Sequence, residues 1–124
     1  MKFYYCEGCG NIIAYVKKAG CNVRCCGMEM KELVPGTVDA SVEKHTPVIN
    51  VKGNEVEVVV GSVEHPMMDK HYIEWIVLCT KEGNQRKELK PGQAPKVKFA
   101  ITEGDEVVEA YAYCNLHGLW KTTL

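Results

Sequence analysis

The sequence has little net charge and no long hydrophobic run. No apolar stretch among its 124 residues approaches the roughly 18 that a membrane helix needs, so we expect no membrane partner. The formal net charge of −1 gives no basic field that would attract nucleic acid. The first residues contain neither an apolar signal region nor a cleavage site, and we therefore expect a cytoplasmic protein.

Cysteine, in contrast, is abundant, with seven residues of which five lie among the first 26. In a reducing compartment disulfides are disfavoured, and clustered cysteines more often bind a metal. Cys6 and Cys9 form a C-x-x-C pair flanked by glycine, and the adjacent Cys25 and Cys26 can complete a tetrahedral site for iron or zinc. Neighbouring side chains diverge in an extended backbone, so this adjacent pair can share one ion only through a local twist. Cys21 lies outside both pairs, and we expect a free thiol there.

The cysteine-rich segment is too short to depend on a hydrophobic core. Pieces below about 40 residues usually need a metal, disulfides or a partner to fold. We therefore expect residues 1–36 to form a domain around its ion, with Pro35 and Gly36 marking the boundary. Ligand spacing alone leaves two interpretations open, a structural zinc ribbon and a one-iron electron-transfer centre.

Residues 37–124 lack a sustained helical period and carry strand patterns instead. Alternating or fully apolar runs predict strands at 55–60, 72–79, 96–101 and 107–114, separated by glycine-containing turns. This pattern predicts an antiparallel β-sandwich with immunoglobulin-like topology, and hence a mainly β protein. Cys79, at the end of an apolar strand, is expected to be a buried structural thiol.

All four histidines lie next to predicted strands, where sandwich folds place functional loops. They are His45, His65, His71 and His117, and the last follows Cys114 at C-x-x-H spacing. A lone histidine is more often a surface or core residue, but four in such positions together with a cysteine favour one metal site. A closed structural zinc site takes four ligands. Five nitrogen and sulfur donors favour iron, with one octahedral position open opposite the thiolate.

Two charged residues directly precede the first of these histidines. The ammonium group of Lys44 can attract a small anion and stabilise negative charge on it. The carboxylate of Glu43 can occupy the open position once the iron is ferric. Without a metal site beside them, both would be ordinary solvated surface charges.

These motifs together resemble the desulfoferrodoxin family of two-iron superoxide reductases. The resemblance covers nearly the whole chain and rests on the four N-terminal cysteines and on Glu43-Lys44-His45-x-Pro47, His65-Pro66-Met67, Lys70-His71-x-x-Glu74-Trp75, Leu89-Lys90-Pro91-Gly92 and Tyr113-Cys114-Asn115-x-His117-Gly118-x-Trp120.

The resemblance implies a desulforedoxin-like N-terminal domain, residues 1–36, and a superoxide reductase domain, residues 37–124. It implies two irons per chain, superoxide as substrate, a homodimer and an electron donor such as rubredoxin. The implied ligands are Cys6, Cys9, Cys25 and Cys26 for an Fe(Cys)4 centre, and His45, His65, His71, Cys114 and His117 for an Fe(His)4(Cys) centre, with Glu43 and Lys44 as catalytic residues.

Three other functions compete with this interpretation. A small electron-transfer protein would relay electrons through two coordinatively saturated irons. A binding module would hold zinc in both sites and be colourless. A metal-dependent hydrolase fits least, because it would need carboxylate ligands and an activated water rather than a thiolate.

Overall fold

The computed structural model describes residues 1–124 and divides into two compact units, Met1–Val34 and Pro35–Leu124. None of its helical segments could span a membrane. Strands dominate both units, which confirms the predicted mainly β class.

The first unit consists of five very short strands. They are β1 (Phe3–Tyr5), β2 (Ile12–Ile13), β3 (Arg24–Cys25), β4 (Met28–Glu29) and β5 (Lys31–Leu33). Three of them form a sheet in the order β2-β1-β5, and β3 pairs with β4 as a hairpin. β2 is limited to Ile12–Ile13, because the chain pairs with β1 at only two positions there.

The buried apolar set of this unit comprises only Phe3, Cys6 and Met30. So small a core is typical of a segment that needs an additional cross-link to fold, which is the role a metal ion fills in small domains.

The second unit contains one helical turn and seven strands. They are α1 (Val42–His45), β6 (Pro47–Lys52), β7 (Glu55–Val60), β8 (Ile73–Thr80), β9 (Gly83–Glu88), β10 (Lys96–Ala100), β11 (Val107–Cys114) and β12 (Gly118–Thr123). One antiparallel sheet has the order β10-β7-β6 and the other β12-β11-β8-β9. Counted from β6, the first, second and fifth strands thus share one sheet, an immunoglobulin-like arrangement in which the fourth strand pairs with the third.

The two sheets enclose one core because their inward positions alternate along the strands. Val56, Val58 and Val60 of β7 are fully buried, and they pack with Ile76 and Leu78 of β8. Period-two alternation places every second side chain on the same face of a strand, which is why the β7 pattern was readable from the sequence.

Two features of this unit were not predicted. Every residue of β9 is exposed, so this edge strand carries no hydrophobic alternation. Its side chains instead bind the backbone of β10, with Gln85 Nε2 donating to the carbonyl of Ala100 at 2.7 Å and Lys87 Nζ donating to that of Lys98. The single turn α1 is likewise too short to show a helical period.

Candidate metal centres

The four N-terminal thiols predicted to bind one ion lie together in the structure. The sulfurs of Cys6, Cys9, Cys25 and Cys26 are all within 4.8 Å of one another, and Cys9 Sγ is 3.6 Å from Cys25 Sγ. Cys21 is exposed and is not a member of this group.

A tight turn lets adjacent cysteines face one point. Cys26 has φ +51° and Gly27 has φ +74°, and the two connect β3 to β4. Positive φ at both central residues is the signature of a type I′ hairpin turn. The local twist that the sequence required is therefore supplied by a left-handed cysteine followed by glycine.

The thiols shift one another's pKa values because they lie within hydrogen-bonding distance of one another. Burial would raise the pKa of Cys6, but the backbone N–H of Cys9 and the neighbouring thiol of Cys25 hold this pKa at about 7. The side chains of Cys6 and Cys9 raise the pKa of Cys26 to about 12. Four sulfurs this close hold four negative charges only around a cation, and an all-sulfur tetrahedral set suits iron or zinc. Asn11 Nδ2 adds a donor 3.7 Å from Cys25 Sγ.

The four histidine rings of the second unit form a near-square. The ring centroids are separated by 4.6 Å for His45–His65, 4.7 Å for His65–His71, 5.0 Å for His71–His117 and 4.8 Å for His45–His117. The centroids of His45 and His71, which lie on a diagonal, are 6.4 Å apart. This diagonal is longer than the edges, as expected for a near-square. Rings that are neighbours on the square are inclined at 76–88°, whereas the diagonal pair is inclined at 31°.

One nitrogen of each ring faces the others, and the cysteine joins them. His45 Nε2 lies 3.2 Å from His65 Nε2 and 3.0 Å from His117 Nδ1. His45, His65, His71 and Cys114 have ligand atoms within 4.8 Å of one another, and His117 Nδ1 lies 3.9 Å from Cys114 Sγ. The structure therefore brings together all five residues that the sequence grouped.

Backbone carbonyls fix the tautomers of two rings. His45 Nδ1 lies 2.6 Å from the carbonyl of Ser41, one helical turn earlier, and His65 Nδ1 lies 2.6 Å from the carbonyl of Pro66. A carbonyl only accepts, so both Nδ1 atoms carry the proton and both Nε2 atoms are bare lone pairs. Two bare nitrogens 3.2 Å apart repel each other unless a cation lies between them.

Burial in the site disfavours the protonated form of three of the imidazoles. Burial lowers the pKa of His45 and His71 and brings that of His65 to about 4, and neighbouring positive charge adds to each effect. Burial also raises the pKa of Cys114, while the backbone N–H groups of Leu116 and His117 favour its thiolate. Neutral imidazoles and a buried sulfur are ligands for a transition metal, whose charge deprotonates a coordinating thiol.

His71 supplies independent evidence that a metal fits. Its Nε2 is buried and has no hydrogen-bond partner, and it is the sole buried side-chain nitrogen or oxygen of the protein in that condition. An unpaired buried polar atom carries a desolvation cost, which coordination would remove. Together with the facing lone pairs, it shows that the donor set suits an ion.

The two charged residues beside the site lie on α1 and are both exposed. The positive charge of Lys44 acts on the histidines: together with burial, it lowers the pKa of His45 and of His71. Glu43 lines a groove of about 440 Å³ with Val42, Thr46, Val48 and Ser62. Its carboxylate is not part of the imidazole group.

Several residues that shape the site were not assigned a role from the sequence. The indole of Trp120 stacks on His45 at 4.9 Å, and its Nε1 donates to the carbonyl of His117 at 3.0 Å. Asn115 binds the chain on both sides of His71. The role of Asn115 could have been suspected from the sequence because it lies between Cys114 and His117. The carbonyls of Ser41 and Pro66 could not, because every residue has a backbone carbonyl.

A mainly β protein with one group of four thiols and another of imidazoles with a thiol is, by class, a metalloprotein with two separate centres. The Desulfoferrodoxin family profile matches residues 37–123. A desulfoferrodoxin homolog from Archaeoglobus fulgidus is 47% identical over 98% of this chain and 96% of its own length. A desulfoferrodoxin from Nitratidesulfovibrio vulgaris is 48% identical over 97% of this chain and 94% of its own length.

A solved structure of the superoxide reductase from Treponema pallidum aligns over 99% of this chain and 100% of its own, with 44% identity and a TM-score of 0.83. The chain therefore belongs to the desulfoferrodoxin family, as the motifs indicated. Its two ligand groups are those of a two-iron protein.

Proposed function

We propose that this protein is a superoxide reductase. In this reaction superoxide takes up one electron and two protons and becomes hydrogen peroxide, while a reduced one-electron carrier is oxidised and the protons come from solvent. The observation that carries the proposal is the near-square of imidazoles beside a buried cysteine, in which the bare Nε2 atoms of His45 and His65 face each other.

The proposed ligands of the catalytic iron are His45, His65, His71, His117 and Cys114. The proposed ligands of the first iron are Cys6, Cys9, Cys25 and Cys26. When bound, the catalytic iron supplies a one-electron reductant that contacts the substrate. Its ligand set has five donors, one more than a closed zinc site takes, which favours iron.

Lys44 steers and stabilises the anionic substrate. Its ammonium group is on the exposed face of α1, directly before His45, and its charge acts on both His45 and His71. A positive charge at the entrance to a site raises the arrival rate of a small anion and stabilises added negative charge. Glu43 is proposed as the second catalytic residue, whose exposed carboxylate would be available as a further ligand for the iron.

The remaining parts of the proposal concern organisation and partners. Residues 1–36 form an electron-transfer domain and residues 37–124 the catalytic domain. The protein works in the cytoplasm as a homodimer, and a small redox protein of the rubredoxin kind supplies its electrons. Size-exclusion chromatography with light scattering tests the dimer, and reduced rubredoxin oxidised in step with added superoxide tests the donor.

The function is tested by counting iron and peroxide. The purified protein is expected to hold two irons per chain with two distinct visible spectra. When reduced, it should convert superoxide to hydrogen peroxide in equal amounts and release no dioxygen. The same protein loaded with zinc is the control and should not react. If the iron-loaded protein consumes no superoxide, the reductase function is excluded and an electron relay is favoured. If protein expressed with ample iron holds zinc in both sites, the binding-module function is favoured instead.

The role of Lys44 has its own matched control. Lys44→Ala should slow the reaction with superoxide and flatten its dependence on ionic strength, with both irons retained. Lys52→Ala removes an equal charge at the opposite end of β6 and should change neither. Equal salt dependence in the two variants would exclude steering by Lys44.

A further inference from the structure

Asn115 connects the chain on both sides of His71 to the turn that carries the other two C-terminal ligands. Its Nδ2 donates to the carbonyl of Lys70 at 3.0 Å, and its Oδ1 accepts from the N–H of Tyr72, also at 3.0 Å. Its own N–H donates to the carbonyl of Tyr72 at 3.2 Å. One residue therefore makes three hydrogen bonds to the two neighbours of His71.

The rest of the His71 segment is held by a local turn. The N–H of His71 donates to the carbonyl of Met68 at 3.0 Å, and the N–H of Met68 donates to the carbonyl of His71 at 2.9 Å. These bonds close the turn but do not attach it to either sheet. Besides the ladder pairing of Ile73 with Cys114, its connection to the Cys114–His117 turn is made by Asn115.

His71 needs this backbone support more than His45 and His65 do. The rings of His45 and His65 are oriented by Nδ1 bonds to the carbonyls of Ser41 and Pro66. The Nε2 of His71, in contrast, is buried and has no hydrogen-bond partner. The direction of this ring is therefore set by the position of its main chain.

We propose that Asn115 is a positioning residue for the second centre, which holds His71 at the near-square of imidazoles and fixes it relative to Cys114 and His117. This inference rests on the proposed ligand set. Groups that orient metal ligands typically contribute a factor of about 10–100 to metal affinity, and we expect the same range here.

The test compares Asn115→Ala with Asn84→Ala, which truncates an exposed asparagine of the edge strand β9. Iron affinity of the second centre is measured by competition with a chelator, its geometry by electron paramagnetic resonance of the ferric ion, and protection of residues 68–73 by hydrogen exchange with mass spectrometry. The first centre, which shares no ligand with the second, serves as the internal control.

Asn115→Ala should lower the iron affinity of the second centre by about 10–100-fold, alter its resonance signal and deprotect residues 68–73. Asn84→Ala should change none of these. Deprotection with unchanged affinity and resonance would overturn the proposal, because Asn115 would then be a structural residue only. Unchanged values of all three would overturn it as well.

A second variant covers failure of the alanine variant to fold. Asn115→Asp keeps the acceptor for the Tyr72 N–H and loses the donor to Lys70, so we expect a smaller loss of iron affinity. Wild-type iron affinity and resonance signal in this variant would overturn the proposal.

The wild-type protein separates this inference from the function. If it lacks the second iron or the superoxide reaction, the function fails, whereas if it has both and the Asn115 variants match it, only the positioning role fails.

Discussion

Replacing Gly61 with alanine will displace the helical turn that carries Glu43, Lys44 and His45. Gly61 is buried directly after β7 and lies against the backbone of α1. A Cβ atom added there would stand 2.7 Å from the carbonyl carbon of Lys44 and 2.9 Å from its oxygen, and would also overlap the carbonyl oxygen of Glu43. These are main-chain atoms, so no flexible side chain can move aside.

The size of the effect follows from these contacts. Overpacking of this kind typically costs about 1–3 kcal/mol. The N–H of Val63 and the hydroxyl of Ser62 both donate to the carbonyl of Glu43, at 3.1 and 3.2 Å, and a shift of α1 would break at least one of these bonds. With about 1 kcal/mol for a lost hydrogen bond, we expect the free energy of unfolding to fall by about 2–4 kcal/mol.

Urea denaturation of the iron-loaded protein measures this change, with Gly20→Ala as the matched control. Gly20 has no atom within 4 Å of an added Cβ and no positive φ, so its variant should be unchanged or stabilised by up to about 1 kcal/mol. Gly61→Ala should also lose iron from the second centre and keep it in the first. If its stability lies within about 0.5 kcal/mol of the Gly20 variant, the close approach does not hold α1 and the reasoning is wrong.

Three further substitutions test separate parts of the structure. Cys114→Ser should abolish the thiolate charge-transfer band of the oxidised second centre, whereas Cys21→Ser, outside both groups, should leave both spectra unchanged; a surviving band would refute the ligand assignment. Cys9→Ser should empty the first centre, and because the two sites share no ligand the second should still react with superoxide; loss of both irons would contradict this independence. Leu78→Ala truncates a fully buried core side chain and should cost about 2–5 kcal/mol in urea denaturation, while Val51→Ala, 49% exposed, should cost far less, and equal losses would show that the core is misassigned.

Much of the fold could be predicted from the sequence because strand patterns are local. The bounds of β7 and β11 agree with the predicted runs. β7 alternates between buried and more exposed positions, whereas β11 is buried at three successive positions, 110–112. Edge strand β9 carries no such pattern because all its side chains face solvent. Its place is fixed by backbone pairing with β8, which any residue except proline can make.

The ligand types were also determined by the sequence. Four cysteines in two close pairs, four histidines beside strands and a C-x-x-H pair are visible without coordinates, and they identify two metal centres by chemistry and count. The ring nitrogen that each histidine presents depends on a partner elsewhere in the fold. For His45 and His65 that partner is a backbone carbonyl, which gives no sequence signal.

The tertiary structure alone decided how these ligands are arranged. His45 comes from α1, His65 and His71 from the segment between β7 and β8, and His117 from the turn after β11. Sequence separation carries no distance information once a chain folds back on itself, so the near-square of rings emerges only when the two sheets pack. The residues fix which metal chemistry is available, and the packing of the sandwich fixes whether their lone pairs meet at one point.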